Sequence, residues 1–167
     1  MLKKKVCLVG SFGVGKTSLV ARFVEGIFSE AYLSTIGVKI DKKTVQTGAG
    51  EVGLMLWDMA GEERFDALQT SYLSGASGVI CVADGTRKET LERAVEYVAQ
   101  VAELEPGAAA VVLVNKNDLY AEWEVGGQSE IAGLVGGIPY FLTSAKTGEA
   151  VEEAFLELSE QMLARHG

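Results

Sequence analysis

Gly10-Ser11-Phe12-Gly13-Val14-Gly15-Lys16-Thr17 fits the pattern G-x-x-x-x-G-K-[ST] and lies between an apolar run, residues 6–9, and a segment of helical period, residues 17–24. At average residue usage the pattern arises by chance in roughly a few per thousand chains of this length. A loop of this kind suits a phosphate. Its glycines let the backbone N–H groups of Gly13, Val14 and Gly15 curl around an anion with no side chain in the way. Lys16 supplies positive charge to the outer phosphates, the Thr17 hydroxyl suits Mg²⁺, and the N-terminus of the following helix adds its dipole. Placed between strand and helix, the loop predicts a nucleotide-binding α/β sheet.

Five further apolar runs of strand length follow, at residues 37–45, 52–57, 78–82, 109–114 and 139–142. Most are continuous rather than alternating, as in parallel strands covered on both faces. The run at 37–45 alternates Val38 and Ile40 with Lys39 and Asp41 and continues into Lys42 and Lys43, which reads as a solvated edge strand. Thr47-Gly48-Ala49-Gly50 reads as a hairpin to the next run. Leu91, Ala94, Val95, Val98, Val101 and Ala102 form one apolar stripe on a helix over residues 88–104. Val151, Ala154, Phe155, Leu158 and Met162 repeat it near the C-terminus, and residues 129–134 form a weaker candidate. Alternating strands and helices predict a layered sheet that binds its ligand at the C-terminal strand ends.

The base is named at the end of the fifth run, in Asn115-Lys116-Asn117-Asp118. A carboxylate such as Asp118 can accept hydrogen bonds from the ring N–H and exocyclic amine of guanine, a donor pair that adenine lacks. Ser144-Ala145-Lys146, after the sixth run, can bring a backbone N–H to the guanine carbonyl. The third run ends in Trp57-Asp58-Met59-Ala60-Gly61-Glu62-Glu63-Arg64-Phe65. There Asp58 is placed to hold Mg²⁺ through water, and Gly61 can turn its N–H to a terminal phosphate. Thr35, in Ser34-Thr35-Ile36-Gly37-Val38, offers the metal a second hydroxyl.

The 167 residues make one domain, 1–167, with a formal charge of −8 that repels nucleic-acid phosphates and anionic lipid. Cys7 and Cys81 sit in apolar runs without metal-site spacing, so free buried thiols in a reducing, cytoplasmic setting are expected. Lys3, Lys4 and Lys5 read as a solvated lead-in.

With all these motifs in order, the chain resembles a small GTPase of the Ras superfamily, with Rab-like touches in Ser34-Thr35-Ile36-Gly37-Val38 and in the string from Trp57 to Phe65. The resemblance implies a P-loop G domain: a six-stranded, mostly parallel sheet with one antiparallel edge strand and about five helices. It implies a guanine-nucleotide switch that hydrolyses GTP to GDP, with Lys16, Thr35, Gly61 and Glu62 at the reacting end. Thr17 and Thr35 would ligate Mg²⁺ directly and Asp58 through water. Ser18 would join the phosphate loop, Phe28 would lie edge-on to the guanine, and Tyr32 would cover the phosphates. Asn115, Lys116, Asp118 and Leu119, with Ser144, Ala145 and Lys146, would form the base and ribose pocket. Two switches, near residues 28–38 and 58–73, would be read by effector, exchange-factor and GTPase-activating proteins, with the GTPase itself a monomer.

Three departures stand out. Glu62 replaces the usual glutamine, Phe12 replaces a usually small residue, and no cysteine follows Cys81. The first two point to slow hydrolysis or, as an alternative, to a GTP-bound interaction module with negligible turnover. The third leads to the expectation of no direct membrane anchoring, a trait more typical of prokaryotic relatives or of a domain cut from a larger protein.

Overall fold

The computed structural model describes residues 2–26, 38–59 and 70–166. The elements run β1 (Leu2–Gly10), α1 (Lys16–Glu25), β2 (Val38–Thr47), β3 (Gly50–Met59), α2 (Thr70–Leu73), β4 (Gly78–Asp84), α3 (Lys88–Leu104), β5 (Ala109–Asn115), α4 (Gln128–Val135), β6 (Tyr140–Leu142) and α5 (Val151–His166), with a 3-10 segment at Asn117–Glu122. The six strands form one sheet in the order β2-β3-β1-β4-β5-β6. Only β2 and β3 are antiparallel; the other pairs are parallel. This is the expected G-domain architecture.

Covering both faces explains the unbroken apolar runs. Val6 and Leu8 of β1 join a core with Leu19, Val20 and Phe23 of α1 and Phe155 and Leu158 of α5. Their neighbours Cys7 and Val9 join a second core with Leu91, Ala94 and Val101 of α3 and Ile131 of α4. Successive side chains on a strand point to opposite faces, so a strand covered on both faces, such as β4 along residues 79–83, is apolar at successive positions. Phe23 stacks on Phe155, with ring centroids 3.9 Å apart, and ties α1 to α5. Cys7 and Cys81 are free and fully buried, and burial pushes each thiol up to about 12, where it stays protonated at neutral pH.

Several local expectations need correction. The Lys3–Lys5 lead-in is part of β1, because β3 supplies pairing partners back to Leu2↔Val52. Lys5 is not merely solvated: its Nζ donates to the Ser74 carbonyl at 2.8 Å and lies 3.9 Å from the centre of the Trp57 ring. On α3, Ala102 is exposed and Tyr97 takes a buried place the stripe did not assign to it. On β2 the apolar residues Val38 and Ile40 face outward, 46% and 45% exposed. Asp41, Lys43 and Val45 turn inward instead, Lys43 with its Nζ 5.6 Å from the centre of the Phe23 ring. A lysine can do this at an edge because its stem lies on the apolar surface while its head stays wet. The hairpin is as read, Gly48 and Ala49 linking the Thr47↔Gly50 pair.

Candidate functional site

The carboxyl ends of β1, β3, β4 and β5 converge where the strand order reverses around β1, the place where open α/β sheets bind ligands. Gly10 ends β1, and the chain turns through Gly13 at φ +77° and Gly15 at φ +104° before α1 begins at Lys16. Lys16 is 7% exposed, and its Nζ donates to the Gly10 carbonyl at 3.1 Å across the loop it starts from. Thr17 Oγ1 donates to Asp58 Oδ2 at 2.6 Å, joining the first turn of α1 to the end of β3. Two hard oxygen donors, one on a carboxylate that is 1% exposed, thus meet at the first turn of α1, which opens on Lys16. That donor chemistry fits Mg²⁺, which prefers one or two carboxylate or hydroxyl oxygens with the rest of its shell from water and phosphate.

The other half of the site comes from β5 and the turn after β6. Asn115 is 2% exposed; its Nδ2 donates to the Val14 carbonyl at 3.0 Å while its Oδ1 accepts from Thr143 Oγ1 at 3.1 Å. Its side chain therefore clamps the phosphate loop. Lys116 adopts the left-handed conformation, φ 69°, costing about 1–2 kcal/mol for a residue with a Cβ and turning the chain into the 3-10 segment that carries Asp118 and Leu119. Ser144 Oγ accepts the Thr147 N–H at 3.1 Å and donates to Asp118 Oδ1 at 2.7 Å, so the carboxylate is aimed by a fully buried hydroxyl. Arg22 of α1 holds the same turn, its Nε donating to the Ala145 carbonyl at 2.7 Å and its Nη2 to the Lys146 carbonyl.

Sequence reading missed a third group. Asp84, the last residue of β4, is 1% exposed and lies beside Asn115 in the register of β4 and β5. Its Oδ2 accepts from Lys116 Nζ at 2.9 Å and Arg87 Nε at 3.1 Å, and its Oδ1 from the Thr86 hydroxyl and amide. Burial would raise this carboxyl, but the Thr86 and Lys116 hydrogen bonds outweigh it and hold the group below the ordinary carboxylate range. The signal available in the sequence was a carboxylate closing a wholly apolar strand at the ligand end of the sheet. Arg22 and Arg87 gave no such signal.

The structure thus brings together Gly13, Val14, Gly15, Lys16, Thr17 and Ser18 with Asp58 on one side. On the other it gathers Asn115, Lys116, Asp118, Leu119, Ser144, Ala145 and Lys146, with the Leu119 side chain 38% exposed. Phe28, Tyr32, Thr35, Gly61 and Glu62 lie outside the described residues, as does most of each expected switch.

Residues 5–164 match the family model described as "Ras family". The chain belongs to the Ras family. Among similar proteins, Ras-related protein Rab-13 of Canis lupus familiaris is 37% identical over 165 residues, covering 98% of this chain and 81% of the relative. Ras-related protein SEC4 of Saccharomyces cerevisiae is 38% identical over 157 residues, covering 93% and 73%. Ras-related protein Rab-12 of Mus musculus is 36% identical over 166 residues, covering 98% and 68%. This Ras-family chain is a GTP- and GDP-binding regulatory GTPase with Rab-like relatives.

Proposed function

We propose that this GTPase is a molecular switch that binds GTP or GDP with Mg²⁺, hydrolyses GTP slowly, and signals through two segments around residues 28–38 and 58–73. The observation that carries the reading is the 2.6 Å hydrogen bond from the Thr17 hydroxyl to the buried Asp58 carboxylate, which brings together oxygen donors from two elements at the start of the helix that opens on Lys16. When bound there, Mg²⁺ would supply charge neutralisation to the outer phosphates. Thr17 would hold it directly and Asp58 through water, with Thr35 as a further ligand. Lys16, anchored on the Gly10 carbonyl, meets the same phosphates from the other side. Gly61 would offer its N–H to the terminal phosphate only while that phosphate is present. Loss of it would release both segments together.

Slow turnover follows from the chain's own residues. The Phe12 side chain is 41% exposed in the phosphate loop, where an arginine supplied by another protein would have to pass. Glu62, when ionised, can accept a hydrogen bond from water but cannot donate one to the transition state as glutamine does. The exposed Phe12 also favours a second reading, a GTP-bound interaction module with negligible turnover. Outward-facing Val38 and Ile40 on β2, beside the first segment, give an effector or regulator an apolar surface to read in either case. Its two buried free thiols suit a cytoplasmic protein.

Single-turnover GTP hydrolysis by the purified protein, with and without Mg²⁺, tests the proposal. Slow, Mg²⁺-dependent release of phosphate is expected, and Phe12→Gly combined with Glu62→Gln should let an arginine-supplying activator accelerate it. No phosphate release from the wild type over many hours would leave the interaction-module reading in its place. Strong activation of the wild type by such an activator would overturn the obstruction assigned to Phe12.

A further inference from the structure

Arg87 lies against the phosphate loop although it belongs to none of the nucleotide motifs. It sits between β4 and α3 with its backbone fixed at both sides: its N–H donates to the Asp84 carbonyl and its carbonyl accepts the Thr90 N–H, each at 3.0 Å. From there the guanidinium forks. Nε donates to Asp84 Oδ2 at 3.1 Å, and Nη2 donates to the Phe12 carbonyl at 2.9 Å. A Cβ built on Gly13 would lie 3.5 Å from that same Nη2.

The bond to Phe12 has a geometric consequence for the loop. The Phe12 carbonyl and the Gly13 N–H belong to one planar trans peptide unit, in which the two groups point in opposite directions. Holding the carbonyl toward Arg87 therefore turns the Gly13 N–H away from Arg87. Gly13 has φ +77° and no Cβ, so without an external hold this peptide can rotate more freely than most. An arginine suits the task because its rigid planar fork can grip a carboxylate and a carbonyl at once.

We infer that Arg87 is a positioning residue for the phosphate cradle, anchored on buried Asp84, and that Asp84 links this cradle to Lys116 of the base-binding motif. Arg87 fixes the Phe12–Gly13 peptide with its N–H ready for phosphate, while Lys116 is held from the same Asp84 oxygen at 2.9 Å. One buried carboxylate therefore registers the phosphate half of the site against the base half. The inference rests on the guanine-nucleotide reading of the site and assigns to it a residue outside its motifs.

Competition binding with GDP and GMP, on the full chain with Mg²⁺, tests it. In Arg87→Ala, GDP affinity should fall about tenfold while GMP, which lacks the β-phosphate, changes less than about twofold. Asp84→Asn should weaken both, because it loosens Lys116 as well as Arg87. Arg87→Lys keeps the charge but has one nitrogen in place of the fork, so it should recover only a small part of the GDP loss. An equal loss of GDP and GMP in Arg87→Ala would mean general structural damage and overturn the inference. Full recovery by Arg87→Lys would reduce Arg87 to a nearby charge and overturn it as well. Wild-type preference for GDP over ADP is measured alongside, so that failure of the guanine reading shows separately.

Discussion

Asp118→Asn is expected to lower GDP and GTP affinity by about 10²–10⁴-fold and to shift preference toward xanthine nucleotides. Two charge-assisted hydrogen bonds to guanine, each about 1.5–3 kcal/mol, are replaced by an amide that cannot serve both donors. The structure adds the orientation. Ser144 Oγ already accepts the Thr147 N–H, so its own proton goes to residue 118. In the variant, the Asn oxygen takes that proton and its NH₂ faces the base. There it opposes the donors of guanine but matches the carbonyl that xanthine carries in place of the amine. Isothermal titration with GDP and XDP checks both parts. Unchanged GDP affinity in the variant would remove Asp118 from base recognition.

Gly15→Ala is expected to cost at least about a hundredfold in nucleotide affinity with the fold retained. Residue 15 has φ +104°, a conformation costing an alanine about 1–3 kcal/mol. The added Cβ would also stand 2.4 Å from Asn115 Nδ2. That amide has nowhere easy to go: it is buried between the Val14 carbonyl and Thr143, so relief must come from the loop or from the clamp that holds it. Either movement spoils the cradle. Gly127→Ala is the matched control, since Gly127 is extended at φ −86° and its Cβ would meet nothing within 4 Å. Circular dichroism and GDP titration of both variants decide it. A Gly15→Ala protein that binds GDP like wild type would show that the loop tolerates displacement.

Much of this was legible in the sequence because its signals were local. The helix over 88–104 has the bounds its apolar period indicated, and each of the six strands overlaps one of the six apolar runs. Phosphate-loop, Asp58, Asp118 and Ser144 positions were readable because each motif sits directly at a strand end. What stayed hidden depends on which strands become neighbours. Asp84 meets Lys116 only because β4 and β5 pair in a register that sets Asp84 opposite Asn115, and Arg87 meets Phe12 across 75 residues of chain. Arg22 reaches the Ala145 carbonyl across 123 residues, which nothing on α1 announces. The outward face of Val38 and Ile40 was illegible for a different reason. Alternation along an edge strand shows that two faces differ but not which one is covered.

The central claim, that Asp118, aimed by buried Ser144, and the loop from Gly10 to Thr17 form one guanine-nucleotide site, is tested most directly on the wild-type chain. A fluorescent GDP analogue bound in the presence of Mg²⁺ is displaced in turn by GDP, GTP, ADP and ATP. Loss of the two bonds to Asp118 predicts that the adenine nucleotides compete at least about a hundredfold more weakly than their guanine counterparts. Equal competition by ATP and GTP would contradict the account.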